Sequence, residues 1–245
     1  MSTSVSVARK MPQDPLTRRA VRSFVRRSRR LTQSQSLALK TLWPRFGLDM
    51  SDEAMTVGEV FPHPAPLVLE IGFGNGQSLA EMAQIRPHEN FIGIDVHLPG
   101  IGHLLEEIEA RGLTNARVVC GDAVEFLRRS VPDQVLTRIQ LFFPDPWPKR
   151  RHHKRRIVQN EWVSLAAGKL EPNGVLHMAT DWEDYALHML RVAEAECRLE
   201  NLATNRFVGR LNDRPITRFE RRGLKLGHGV WDIAFRRKPV SRGAG

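Results

Sequence analysis

The stretch from Leu67 to Ile85 constrains the fold more than any other part of this 245-residue chain. Leu67–Ile71 (LVLEI) is a short apolar run that passes at once into Gly72-Phe73-Gly74-Asn75-Gly76, and then into Gln77–Ile85, whose composition is helical. An apolar run of this length without polar alternation reads as a strand covered on both faces, the habit of parallel strands in α/β proteins. Glycines at its end let the backbone turn tightly and approach a ligand closely. The third glycine follows the second by two residues, whereas the dinucleotide fingerprint G-x-G-x-x-G requires three. A turn of purely structural use is the alternative.

The pattern continues downstream. Phe91–Asp95, Ala116–Cys120, Arg138–Phe143, Val175–Thr180 and Val230–Arg237 read as strands. Between them, Ile101–Ala110, Ala123–Arg129, Ile157–Leu170 and Glu183–Cys197 read as helices, the fourth strand's helix stopped by Glu171-Pro172-Asn173-Gly174 and the last helix capped by Asp181. The expected architecture is an α/β fold of the Rossmann-like type, a mostly parallel central sheet with helices on both faces. Ligands of such sheets bind beyond the C-terminal ends of the strands. The special residues follow that rule: the glycines come after the first strand, Asp95 closes the second, and Asp122, Asp145 and Asp181 follow the third, fourth and fifth. An acid in Asp95's position can accept hydrogen bonds from both hydroxyls of a ribose. Taken alone, Asp95 would be read as a cap or a surface acid.

Charge points to the partner. The formal net charge is +10, a surplus that favours polyanions through phosphate neutralisation and counterion release. It is concentrated in three places: residues 1–30, with nine Lys/Arg and the single acid Asp14; Lys149–Arg156, reading KRRHHKRR; and the series Arg206, Arg210, Arg214, Arg218, Arg221 and Arg222. Any one run could be a solvated face. Residues 1–35 are expected to form a basic N-terminal arm, flexible until it meets a partner, and residues 36–245 the α/β domain. The arm also has the composition of a transit peptide. No apolar stretch is long enough to span a bilayer, and no lipidation motif or strongly amphipathic basic helix suggests membrane attachment. Cys120 and Cys197 fit no metal spacing and are read as reduced core thiols.

Glu70-x-Gly72-x-Gly74-x-Gly76 resembles the first motif of S-adenosylmethionine-dependent methyltransferases, whose acid after the third strand, here Asp122, contacts the adenine amino group. Phe142-Phe143-Pro144-Asp145-Pro146-Trp147-Pro148-Lys149 stiffens one carboxylate between two prolines, much like the D/N-P-P-Y/F loop of amino-methylating enzymes. Beyond these motifs, LEIGFGNG, GIDVH, QLFFPDPWPKRRHHKRRIVQ, HMATDW, RPITRFERRG and LGHGVWD are together similar to the bacterial tRNA (guanine-N7)-methyltransferase family, over about residues 18–236.

That resemblance implies a cytoplasmic enzyme, monomeric or with a homodimer as the alternative. It would methylate the variable-loop guanine at position 46 of tRNA, using S-adenosylmethionine and releasing S-adenosylhomocysteine, without a metal. The cofactor residues implied are Glu70, Gly72, Gly74, Gly76, Asp95, Asp122 and Asp145, with Asp145 also catalytic. The substrate residues implied are Lys149, Asp181, Thr217, Arg218, Phe219 and Glu220, and the RNA contacts Arg150, Arg151, His152, His153, Lys154 and Arg155. Many relatives carry glutamate where this chain has Asp95. The alternatives are a methyltransferase of another RNA or base, a non-catalytic RNA-binding protein, and a nicotinamide-dependent oxidoreductase, which the glycine spacing disfavours. His177 is read as a core or site-lining residue. Trp162, Trp182 and Trp231 are read as packing residues, and Trp147 as either packing or base-stacking.

Overall fold

The computed structural model describes residues 30–210, 214–216, 220 and 229–239. An eight-stranded sheet runs in the order β1-β4-β3-β2-β5-β6-β8-β7. Its centre is β2 (Leu67–Ile71), flanked by β3 (Asn90–Asp95) and β5 (Leu136–Phe142), with β4 (Ala116–Cys120) and β6 (Leu170–Thr180) outside them. All neighbouring pairs from β1 (Gly47–Leu48) to β6 are parallel, and β8 (Trp231–Arg237) is antiparallel to both β6 and β7 (Leu199–Asn201). The chain winds outward from β2 through β3 to β4 in one direction, then from β5 to β6 in the other. The order therefore reverses between β2 and β5, where open α/β sheets take their ligands.

Every residue of β2 is buried, Glu70 included, as its otherwise apolar composition requires. One face of the sheet packs against α1 (Gln33–Thr41), α2 (Trp43–Phe46), α4 (Gln77–Ile85) and α5 (Leu98–Ala110), through residues such as Trp43, Leu79, Met82 and Leu104. The other packs against α6 (Ala123–Arg129), α7 (Asn160–Lys169) and α8 (Glu183–Glu194), through Phe126, Trp162, Val163, Tyr185 and Met189.

Several boundaries depart from the sequence expectation. Helix α7 starts at Asn160 rather than Ile157, because Val158 is buried ahead of it with its N–H donating to the Tyr185 hydroxyl at 3.4 Å. The expected stop at Glu171–Gly174 lies inside β6: Asn173 takes φ +69, and the pairing with β5 shifts register between Leu136 and Arg138. The cap of α8 is Trp182, not Asp181; the nearby side-chain bond comes from Thr180, whose hydroxyl accepts from the Trp182 N–H at 3.2 Å. Trp182 itself is 41% exposed, unlike the buried Trp162. Cys197 is exposed, so it is not a core thiol, whereas Cys120 is half-buried against the core; neither forms a disulfide. Helices α1, α2 and α3 (Val57–Val60) and strands β1 and β7 have no counterpart in the sequence reading. Helix α1 begins within the segment read as arm, and Thr32 and Gln35 bond each other's backbone N–H reciprocally at 3.1 Å.

The start of α5 is packed directly on the glycine turn. A β-carbon at Gly100 would lie 1.8 Å from the Gly74 carbonyl oxygen. Gly100→Ala should therefore lower unfolding stability by about 1–3 kcal/mol, the usual range for overpacking a tight contact. Urea denaturation measures it, and an unchanged midpoint would show that the turn yields freely.

Candidate active site

Register places the special residues on one rim. Ile71 pairs with Ile94 and Leu141, Asp95 with Cys120, and Phe142 with Ala179. The glycine turn, Asp95, Asp122, the Asp145 loop and Asp181 consequently all leave the same edge of five adjacent parallel strands.

In the glycine turn, Gly72, Gly74 and Gly76 have φ of +73°, +64° and +76°, where a side chain is strained. Gly76 is also a packing residue, since a β-carbon there would meet Leu104 at 2.5 Å. Gly72 and Gly74 differ: open space lies where their β-carbons would be, so the backbone is exposed to a ligand. Asp95 ties this turn to β3. One carboxylate oxygen accepts from the N–H of Val96 at 2.7 Å and His97 at 2.9 Å, and the other from the Gly74 N–H at 3.0 Å. Those three donors leave roughly one of a carboxylate's four acceptor positions. Burial raises the Asp95 pKa, and the three amides oppose that rise.

Glu70 lies beneath the turn, 3% exposed, with one carboxylate oxygen buried and without a hydrogen bond among the described residues. Burial, and secondarily the charge of Asp95, push its pKa to about 8. Asp122 caps α6, accepting from the N–H of Val124 at 2.8 Å and of Glu125 at 3.4 Å. It also borders a cavity of about 260 Å³ walled by Lys154, Arg155, Arg156 and Trp162, which sets the basic run beside the acid at this rim. A larger cavity, about 430 Å³, is lined by Arg45, Phe61, Glu109 and Thr114; these precede strands, so it belongs to the opposite edge.

The Asp145 loop is held under strain. Phe143 and Trp147 adopt φ of +51° and +45°, each costing about 1–3 kcal/mol for a residue with a side chain. Asp145 between them is exposed. Arg156 secures the loop from below: its side chain is 1% exposed, its Nε donates to the Pro146 carbonyl at 2.9 Å, and its Nη2 meets Asp184 at 2.5 Å. Its guanidinium also lies 4.7 Å from the centre of the Tyr185 ring. The sequence reading placed Arg156 at the end of an RNA-facing run; the structure makes it an internal brace. Residues Arg150–Arg155 form a 3-10 helix whose cations, with Lys149, are exposed. Partial desolvation and then the neighbouring cations lower the His152 pKa, and Arg155 lies 4.9 Å over the Trp147 ring.

Of the residues read as substrate-binding, Thr217, Arg218 and Phe219 lie outside the described residues. Glu220 is buried and engaged with Arg210 and Arg214, so its carboxylate serves as an anchor. Asp181, freed from capping, is half-buried on the rim. His177 is fully buried, its Nε2 2.9 Å from Asp232. Sequence reasoning passed over Gln140, whose buried amide lies in register between Glu70 and His177. A glutamine set among Ile139, Leu141 and Phe142 is the signal that could have found it. Among the described residues, no group of three or more His, Cys, Asp or Glu is assembled for a metal, and no helix is long and apolar enough to cross a membrane.

Known proteins resemble the chain over most of its length. A methyltransferase family profile matches residues 64–233. A tRNA (guanine-N(7)-)-methyltransferase of Alcanivorax borkumensis is 56% identical, with 94% of this chain and 96% of that protein covered. Its namesake from Alkalilimnicola ehrlichii is 53% identical over 90% and 94%. The chain belongs to the tRNA (guanine-N(7)-)-methyltransferase family. Among solved structures, the 16S rRNA methyltransferase KamB superposes with a TM-score of 0.57 at 16% identity, covering 76% of this chain and 95% of that one. A 30S ribosomal A1408 methyltransferase from an uncultured bacterium gives 0.55 at 15%, over 74% and 92%. These show a shared fold. The residues present fit the S-adenosylmethionine such a family implies: open backbone at Gly72 and Gly74, and a buried Glu70 carboxyl group with one unbonded oxygen, whose ionised form a cationic group would favour.

The Glu70 shift sets a pH dependence. Its folded pKa of about 8 exceeds the ordinary 4.5, so between these values the folded chain keeps a proton that the unfolded chain has lost. Stability then declines as pH rises through that window. Thermal midpoints should fall more steeply from pH 6 to pH 8 in the native chain than in Glu70→Gln; parallel curves would show that Glu70 titrates normally.

Proposed function

We propose that this chain transfers the methyl group of S-adenosylmethionine to N7 of the variable-loop guanine at position 46 of tRNA, forming 7-methylguanosine. The observation that carries this reading is the juxtaposition at one rim: a ligand-accessible glycine turn tied to Asp95, next to a braced loop that presents Asp145 beside an exposed basic 3-10 helix. When bound, the cofactor supplies a methyl group already activated by a sulfonium.

Guanine N7 carries a free lone pair, so no proton must be removed before attack. What the chain contributes is positioning and electrostatics. Asp145 and Asp181 accept hydrogen bonds from the guanine N1–H and exocyclic amine, fixing the base and drawing electron density towards N7. Adenine offers a different donor pattern on that edge. Lys149 and the cations of Arg150–Arg155 hold phosphates, and His152, with its lowered pKa, serves as a neutral contact beside Trp147. Glu70, Asp95 and Asp122 orient the cofactor. The chemistry asks nothing of a metal. A cytoplasmic, monomeric enzyme acting on tRNA is the form that fits, with no membrane partner.

Incubating the protein with unmodified total tRNA and the cofactor should yield 7-methylguanosine on nucleoside analysis. Methyl groups on another base would overturn the assignment. Asp145→Asn should retain the fold and most cofactor affinity while losing roughly ten- to a hundredfold in single-turnover rate, the value of one charge-assisted hydrogen bond. A native rate that climbs log-linearly through neutral pH, with that climb abolished in Asp145→Asn, would make Asp145 a general base instead.

Affinity for tRNA should fall steeply with salt. Deleting residues 1–30 should reduce the slope of log K against log salt and spare cofactor binding. An unaltered slope would remove that segment from the RNA interface.

A further inference from the structure

Arg214 belongs, in sequence, to a series of spaced arginines, yet its side chain is fully buried. Four contacts hold it in two forks. Nη1 and Nη2 donate to Glu220 at 2.7 and 2.8 Å, and Nε and Nη2 donate to Asp232 at 3.0 Å each. His177 backs the second fork through Asp232, and Arg210 joins the first, 3.2 Å from Glu220. The guanidinium also faces the rings of Phe142 and Phe143, 5.4 and 5.6 Å from their centres, within cation–π range.

These contacts join separate parts of the chain: the end of β5, strand β8, and Glu220. Phe143 is the residue with φ +51° from which the Asp145 loop departs, and its N–H is bonded to the Ala179 carbonyl at 2.8 Å. Pro144 has a fixed φ and Pro146 restricts the backbone of Asp145, so a rotation at Phe143 carries Asp145 with it. Stability alone does not account for such a cluster. Well-packed apolar residues often replace a buried ion triad at no cost, because desolvation offsets the attraction. Planar, directional restraint is what a guanidinium provides and an apolar cluster does not.

We propose that Arg214 is a positioning residue for methyl transfer, setting the Asp145 loop and Glu220 in one fixed relation through its two forks and the two phenylalanine rings. This rests on the reading of Asp145 as the group that holds guanine.

The test uses the full chain. Arg214→Lys keeps the charge, but an ammonium is a point charge that cannot meet two carboxylates in one plane. Its single-turnover rate at saturating tRNA and cofactor should fall roughly ten- to a hundredfold, as lost charge-assisted hydrogen bonds imply, with cofactor affinity within about twofold of native. Glu220→Gln should show a similar loss, and the double variant should lose no more than the worse single one, since both remove the same restraint. A native rate in Arg214→Lys, or a loss confined to tRNA affinity, would overturn the proposal. Should Arg214→Lys fail to fold, Phe143→Leu removes the ring under the guanidinium and keeps an apolar side chain. A slowed rate with native cofactor affinity supports the proposal, and an unchanged rate overturns it. Asp145→Asn measured in parallel separates the two ideas: if it is fully active, the reading of the loop fails; if it is slow while Arg214→Lys is native, only the role of Arg214 fails.

Discussion

A parallel pair of strands cannot be closed by a hairpin, so each connection must return the chain to the starting edge, here by a helix. In this chain that requirement is met from β2 through β6, and every strand's C-terminal residue is delivered to the same rim. The in-register pairing of Ile71 with Ile94 and Leu141 then decides which side chains can meet. Asp95 reaches the Gly74 amide because β2 and β3 end level with one another. The Phe143 N–H reaches Ala179 because β5 and β6 do. The Asp145 loop and the glycine turn leave neighbouring strands on either side of the reversal in strand order, so a donor bound at one and an acceptor bound at the other share one crevice.

The features legible in the sequence are those fixed by local chemistry. The run Leu67–Ile71 and its glycines announce a buried parallel strand and a tight turn because apolar continuity and positive φ are requirements of single residues. The acids after each strand were placed by that same frame. The parts that stayed hidden depend on partners distant in sequence. Val158 lies outside α7 because it meets Tyr185, 27 residues away. Glu171–Gly174 continues into β6 because β5 supplies a ladder for it, which composition alone does not register. Helix α1 was readable in principle from Thr32-Gln33-Ser34-Gln35, a capping box hidden inside a segment whose charge drew attention instead. Asp181 looked like a cap because it precedes a helix; one residue of offset makes it a rim carboxylate.

Arginine is where sequence and structure diverge most. Counted along the chain, Arg156 and Arg214 belong to basic runs and contribute to a surplus of +10. In the fold both are buried and neutralised by carboxylates, Arg156 by Asp184 and Arg214 by Glu220 and Asp232. Charges paired this way release no counterions on meeting a phosphate, so they leave the electrostatic footprint to neighbours such as Arg150, Arg151, Lys154 and Arg155, which are exposed. The same residue type thus does two jobs a few positions apart. On the proposed reading, the exposed members would attract the polyanion without reading it, and the buried ones would hold the Asp145 loop in place. Under that proposal only the second role would bear on which base is methylated, because discrimination between guanine and adenine would depend on where a carboxylate sits to within a hydrogen bond's tolerance. A mutation in the exposed run should therefore alter how often RNA arrives, and one in a buried brace what happens after it has.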